Sequence, residues 1–161
     1  MGIQEPLQME DLRVLQTAEE LADAVWAVVQ QWPPFARDTL GRQVVRATDS
    51  IGANIAEAFG RFYYGEKLRF LYYARGSVFE TKYWLNRAHQ RGLLKDKQFN
   101  VFCLKIRDIA RQLNAFANSV KRQKRNDAHS ISSRTVCEPS PTYSPDPLFS
   151  TSDLQYLIPD T

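Results

Sequence analysis

The chain has 161 residues, 43% of them apolar and 24% charged, with a formal net charge of +3. That length fits one domain at about 100–200 residues each, and the mix is that of a globular protein rather than a fibrous one. No apolar run is long enough to cross a bilayer, and two cysteines, Cys103 and Cys137, make no disulfide framework. The opening Met1-Gly2-Ile3-Gln4-Glu5-Pro6 has neither the basic nor the apolar region of a signal peptide. A cytoplasmic protein with free thiols is the expectation.

Four amphipathic helices follow in order. The first runs about 12–32, with Leu15, Ala18, Ala22, Val25, Val29 and Trp32 on one face of a 3.6-residue repeat. Trp32-Pro33-Pro34-Phe35 stops it, because the residue before proline avoids the helical region. The second runs about 37–60 on Leu40, Val44, Ala47, Ile51, Ile55 and Ala58, with Gly60 as its terminator. The third runs about 65–91 on Leu68, Leu71, Ala74, Val78, Leu85 and Ala88, and Gly92 closes it. The fourth, about 95–123, has the clearest stripe: Phe102, Ile106, Ile109, Leu113, Phe116 and Val120. Short connections between long helices give antiparallel neighbours. The predicted fold is all-α, an antiparallel up-down-up-down four-helix bundle over residues 1–125.

Residues 126–161 are different. They hold seven Ser, four Thr and five Pro, and they read as a disordered, acidic tail. The charge divides at the same place. Residues 1–125 carry 20 Lys and Arg against 13 Asp and Glu, a net +7, whereas the tail carries one Arg and five acids, a net −4. The split suggests a tail that folds over the basic surface. Its last part, with Leu148-Phe149 and Leu154-Gln155-Tyr156-Leu157-Ile158, reads as a docking motif or as an unconstrained terminus.

Helix three carries more apolar surface than one core stripe uses. Tyr72, Phe79, Tyr83 and Trp84 flank the Leu71/Val78/Leu85 stripe, and Phe62, Tyr63 and Tyr64 precede it. Monomers rarely expose large apolar patches, so these rings point to a subunit interface; the alternative is bulky rings filling a wide core. Gly76-Ser77 sits mid-helix, where Gly costs about 1 kcal/mol against Ala. A close helix approach there would offset the cost.

On helix four, Arg107, Arg111, Asn118, Arg122 and Arg125 form a second stripe, joined by Lys121 and Lys124. Arg42, Arg46 and Arg61 add positive charge on helix two. Arginine suits phosphate because its fork donates in a plane. The stripe reads as a nucleic-acid surface, led by backbone and shape, or as a solvated helix face. Asn54, Glu57 and Arg61 share a region of helix two and read as a structural polar network, with Glu80 and Arg46 as further members. Metal, cofactor and catalytic motifs find no counterpart: no CxxC, HxxxH, HExxH, phosphate-binding glycine loop or nucleophile elbow occurs. The expectation is a protein without catalytic residues, cofactor or metal.

The run Gln43-Val44-Val45-Arg46-Ala47, then Ser50-Ile51 and Asn54-Ile55-Ala56-Glu57-Ala58-Phe59-Gly60-Arg61, resembles the signature of the 23S rRNA intervening-sequence family. Asp11-Leu12, Gln16, Ala18 and Glu20-Leu21 match its opening. Glu66, Arg69-Phe70-Leu71, Ala74, Gly76-Ser77 and Glu80 match its third helix, and Gly92-Leu93-Leu94 follows. The likeness covers residues 10–120. Leu15 stands in place of the family's tryptophan, Val45 replaces one of two adjacent arginines, and Ala58 replaces a glycine. The resemblance implies a homopentamer of four-helix subunits. A related branch, the accessory variability proteins of diversity-generating retroelements, binds a reverse transcriptase and its template RNA. Fold alone does not transfer that role. The resulting expectation is an RNA-associated adaptor, with RNA or DNA backbone and a reverse transcriptase as candidate partners and no membrane. The competing expectation is an oligomeric protein-interaction scaffold.

Overall fold

The computed structural model describes residues 9–132. Four long helices carry the fold: α1 (Arg13–Val29), α2 (Arg42–Gly60), α3 (Tyr64–Gln90) and α4 (Asp96–Ser132). A 3₁₀ turn, Met9–Asp11, leads into α1, and Gln16 Nε2 donates to the Glu10 carbonyl at 2.8 Å to hold it there. Packing is between α1 and α2, α2 and α3, α3 and α4, and α4 and α1. That cyclic order of antiparallel neighbours is the up-down-up-down bundle. Among the described residues there is no strand.

The predicted stripes form the core. All six stripe residues of α2 and its approach are buried, as are Leu71, Ala74, Val78, Leu85 and Ala88 on α3. On α1, Leu21 is fully buried and Ala22 only half-buried. Leu68 and Phe116 pack against the core from its edge. Two threonines enter the core. Thr48 donates to the Val44 carbonyl at 2.6 Å and Thr81 to the Ser77 carbonyl at 2.8 Å. Each hydroxyl is thus satisfied within its own helix, which removes the desolvation cost of an unpaired one.

The α1–α2 corner departs from a simple loop. Helical structure restarts at Pro34–Ala36, with proline in the first turn, where its missing N–H costs nothing. It then passes through a π-helical stretch, Arg37–Gly41, directly into α2. The chain turns tightly here, since a Cβ on Gly41 would lie 2.7 Å from Val29 Cγ1. Trp32 fills this end of the core at 6% exposure. Its buried Nε1 has no hydrogen-bond partner among the described residues, a cost of about 1–3 kcal/mol. Burying about 150–250 Å² of ring surface at about 25 cal/mol/Å² outweighs it.

The two glycine stops behave differently. Gly60 is the last helical residue of α2, and the chain leaves through an extended Arg61 (φ −74°, ψ 140°) rather than a left-handed glycine. Gly92 does supply the left-handed turn, at φ 71°. Its N–H reaches the His89 carbonyl and that of Leu93 reaches Ala88, both at 3.0 Å, the paired bonds of a Schellman cap. His89 then spans the turn, with Nε2 2.7 Å from Asp96 Oδ1 and its ring stacked on Phe99.

Helix α4 continues to Ser132, past the expected end near 123 and the expected domain boundary at 125. Residues 124–132 contain neither Gly nor Pro, and the first proline of the tail is Pro139. The change in composition at Asn126 therefore preceded the first true helix breaker. Tyr64 OH donates to Asp127 Oδ2 at 2.5 Å, which fastens the added turns to the start of α3. The remainder of the predicted tail lies outside the described residues.

Candidate nucleic-acid interface

The predicted cations fall into two groups. Arg107, Arg111, Lys121, Arg122, Lys124 and Arg125 are all exposed on α4. Arg42 and Arg46 belong to α2, which lies diagonally across the bundle from α4, and Arg61 follows its end in the connection to α3. A single stretch of nucleic acid lying along α4 does not meet Arg42 and Arg46. The partners of all three are local: Arg42 faces Asp38 at 4.0 Å, Arg46 donates to Gln43 Oε1 at 3.0 Å, and Arg61 pairs with Glu57.

The α4 cations are unequal. Arg111 is engaged by Asp108, and that hydrogen bond is the main reason the Asp108 carboxyl is held below its ordinary pKa. Lys121 lies over the Tyr72 ring of α3, 5.7 Å from its centroid. Lys121, Arg122, Lys124 and Arg125 line a groove of about 790 Å³ whose apolar wall is Leu68 and Ala115, with Asn118 beside them. Phe79 follows Tyr72 by seven residues, on the same side of α3, and Arg75 lies over its ring at 5.7 Å. The α3–α4 face therefore alternates cations with exposed aromatic rings. That chemistry offers phosphates a charge and bases a stacking surface.

The polar motif of α2 does not form one network within the chain. Asn54 Nδ2 donates to the Ser50 carbonyl at 2.7 Å, the Glu57–Arg61 pair is one turn long, and Glu80 accepts from Trp84 Nε1 at 3.3 Å. Each bond stays inside its own helix. Across α2 and α3, Arg61 instead sits over the Phe70 ring at 4.7 Å.

Of the predicted interface rings, Tyr72, Phe79 and Tyr83 are exposed, Phe79 at 59%. Trp84 is half-buried against the core and does not belong with them. Among the described residues, Phe62 is the most exposed large apolar side chain, at 86%, with Tyr63 beside it, 5.3 Å between ring centroids. Gly76 is exposed, and a Cβ there would meet nothing within 4 Å. No other helix of the same chain explains that glycine by close approach. Cys103 is a free thiol, half-buried on α4.

Sequence reasoning did not single out the opposite face. Between α1 and α2 lies a cavity of about 520 Å³ floored by Ala18, Ala22, Gly52 and Ala53 and edged by Glu19, Asp23 and Asp49. Partial burial, then the charge of Asp23, raises the Asp49 pKa. The signal was present as small residues and acids at helical spacing on both helices. Among the described residues, no group of three or more His, Cys, Asp or Glu is placed to hold a metal ion, and no helix is long and apolar enough to cross a membrane.

An antiparallel four-helix bundle built around one continuous core defines a class of small helical proteins. The particular family is shown by sequence: the model of the 23S rRNA-intervening sequence protein family matches residues 10–115, and the chain belongs to that family. No curated protein matches the chain. Among solved structures, a protein of unknown function from the S23 ribosomal protein family of Bacteroides thetaiotaomicron, at 1.70 Å resolution, is similar with a TM-score of 0.59 and 22% identity. The match covers 65% of this chain and 97% of that one, and at this identity it speaks for the fold alone.

Proposed function

We propose that the protein is a non-catalytic, RNA-associated adaptor that works as a ring of identical subunits, a homopentamer, in the cytoplasm. One observation carries the nucleic-acid reading: the α3–α4 face, where the exposed Lys121, Arg122, Lys124 and Arg125 line a groove beside Tyr72. Five copies would repeat that field around a ring, which suits a long polyanion. The exposed Tyr72, Phe79 and Tyr83 support self-association. A reverse transcriptase with its template RNA is the partner pair that this reading favours. The second reading, a protein-interaction scaffold without nucleic acid, is favoured by Phe62 and Tyr63, two adjoining rings that are largely exposed at the α2–α3 connection.

The test is fluorescence anisotropy of a labelled structured RNA against the full chain over a salt series. Each phosphate contact contributes about 0.7–0.9 to the slope of log K against log salt. Replacing Arg122 and Arg125 with alanine should make the slope shallower by about 1.4–1.8 if both meet phosphate. Absence of binding at about 50 mM salt, where such contacts are strong, overturns the RNA reading and leaves the scaffold.

A further inference from the structure

The groove at Leu68, Ala115 and Lys121–Arg125 sets exposed cations beside an apolar wall, which suits an occupant that is both acidic and apolar. Its four cations are exposed, yet its wall is Leu68 and Ala115 with the Tyr72 ring adjoining. Bare phosphates answer only the cations. A peptide alternating carboxylates with large apolar side chains answers both.

The chain contains such a segment. Residues 133–161 carry Glu138, Asp146, Asp153 and Asp160 against one base, Arg134. Within them, Asp146 precedes Leu148-Phe149, and Asp153-Leu154 precedes Tyr156-Leu157-Ile158. The tether also fits. Helix α4 is described as far as Ser132, and Lys121 lies eleven residues back along it, about 17 Å at 1.5 Å per residue. Residues 133–145, rich in Ser and Pro, reach about 40 Å when extended at about 3.1 Å per residue. The segment can therefore return to the groove without strain. A tether of this length keeps it at a local concentration of the order of millimolar.

We propose that residues 146–158 occupy the α3–α4 groove of their own chain, with Asp146 and Asp153 against the Lys121–Arg125 cations and Leu148, Phe149 and Leu154 against Leu68 and Ala115. The contact makes the tail an intramolecular competitor of any polyanion that uses the same cations. That consequence rests on the RNA reading; the contact itself does not. A second copy's acidic α1–α2 face is the rival occupant of the groove.

Zero-length carbodiimide cross-linking tests the contact directly, because it joins a carboxylate to an amine only where the two meet. The full chain is prepared as an equal mixture of ¹⁴N and ¹⁵N protein, treated, digested and read by mass spectrometry. The expected product links Lys121 or Lys124 to Asp146 or Asp153 within peptides of a single isotope. Lys95 and Lys97, at the other end of α4, should stay unlinked to the tail. Tail links spread evenly over all lysines, links in mixed-isotope pairs, or links from Lys121 and Lys124 to Glu19, Asp23 or Asp49 would each overturn the proposal. Competition is read separately in the anisotropy assay. The variant D146N/D153N should bind RNA about three- to tenfold more tightly, as expected for two exposed ion pairs released. An unchanged affinity in a protein that does bind RNA refutes competition. Failure of RNA binding leaves the cross-linking result to decide the contact alone.

Discussion

Replacing Gly76 with alanine separates two accounts of an exposed glycine in the middle of α3. Tyr72, Gly76, Phe79 and Tyr83 follow one another at steps of four, three and four, so they share one stripe of the helix. In a single copy, the new methyl enters open space. It removes the glycine penalty of about 0.8–1.0 kcal/mol. Spread over the unfolding entropy of a domain of this size, that is a rise in Tm of about 3–4 °C. If a second copy packs on the stripe, the same methyl meets its side chains. Overpacking costs about 1–3 kcal/mol, which weakens association about five- to more than a hundredfold. Thermal unfolding followed by circular dichroism over a range of protein concentrations distinguishes the effects, because assembly makes Tm depend on concentration. The expected variant melts higher than the parent at the dilute limit and loses the concentration-dependent increment, with a lower mass by light scattering. A variant whose Tm is uniformly raised and whose concentration dependence is intact refutes the stripe as a contact. A lower Tm at the dilute limit refutes the open geometry itself.

Two further substitutions test the α1–α2 side. Gly41→Ala should destabilise by about 1–2 kcal/mol in urea unfolding, since crowding against the stiff Val29 side chain, 2.7 Å away, exceeds the gain in helix propensity; an increase in stability would show that the corner is looser than its geometry. Asp49→Asn should raise Tm near neutral pH. The folded state holds the Asp49 proton more tightly than the unfolded chain does, through partial burial and the charge of Asp23. Ionisation therefore costs stability as pH rises through the raised folded pKa. The gain from Asn must fade as pH falls below the ordinary carboxylate range, about pH 3, where the parent is protonated in both states. A gain that is the same at every pH would place the effect outside titration.

The core was legible because one signal determined it. Leu40, Val44, Ala47, Ile51, Ile55 and Ala58 repeat at helical spacing, and every one is buried. Burial of a stripe follows from periodicity alone. The helix ends were less legible because two different cues compete there. Gly92 is a left-handed cap and Gly60 is not, yet both are glycines after an apolar stripe. The sequence around α4 changes composition at Asn126, but composition measures what packs, while a helix stops only where backbone hydrogen bonding fails. Tyr64 on Asp127 is a contact between residues 63 positions apart, which no local pattern announces. The polar residues were the least legible. Asn54, Glu57 and Glu80 looked like a shared network because they are polar and regularly spaced. Each is satisfied one turn away on its own helix, and spacing cannot distinguish a bond along a helix from one across to a neighbour.

The positions of the rings and the cations set how assembly and RNA binding relate. Tyr72 lies beside Lys121, so a neighbour seated on the aromatic stripe borders the α4 groove. The remaining cations, Arg107 through Arg125, extend eighteen residues along the outer helix, about 27 Å at 1.5 Å per residue. A ring would place several such arrays side by side without adding a contact to any of them. The two quantities an RNA titration yields then part company. The salt slope counts phosphates met at each site, whereas the affinity also rises with the number of sites that one RNA spans. Breaking the ring through Gly76→Ala should therefore weaken binding. The slope should stay the same if each array engages its phosphates alone. It should become shallower if the groove is completed only by the adjoining copy. Measuring both on the same variant shows whether the RNA surface belongs to the subunit or to the assembly.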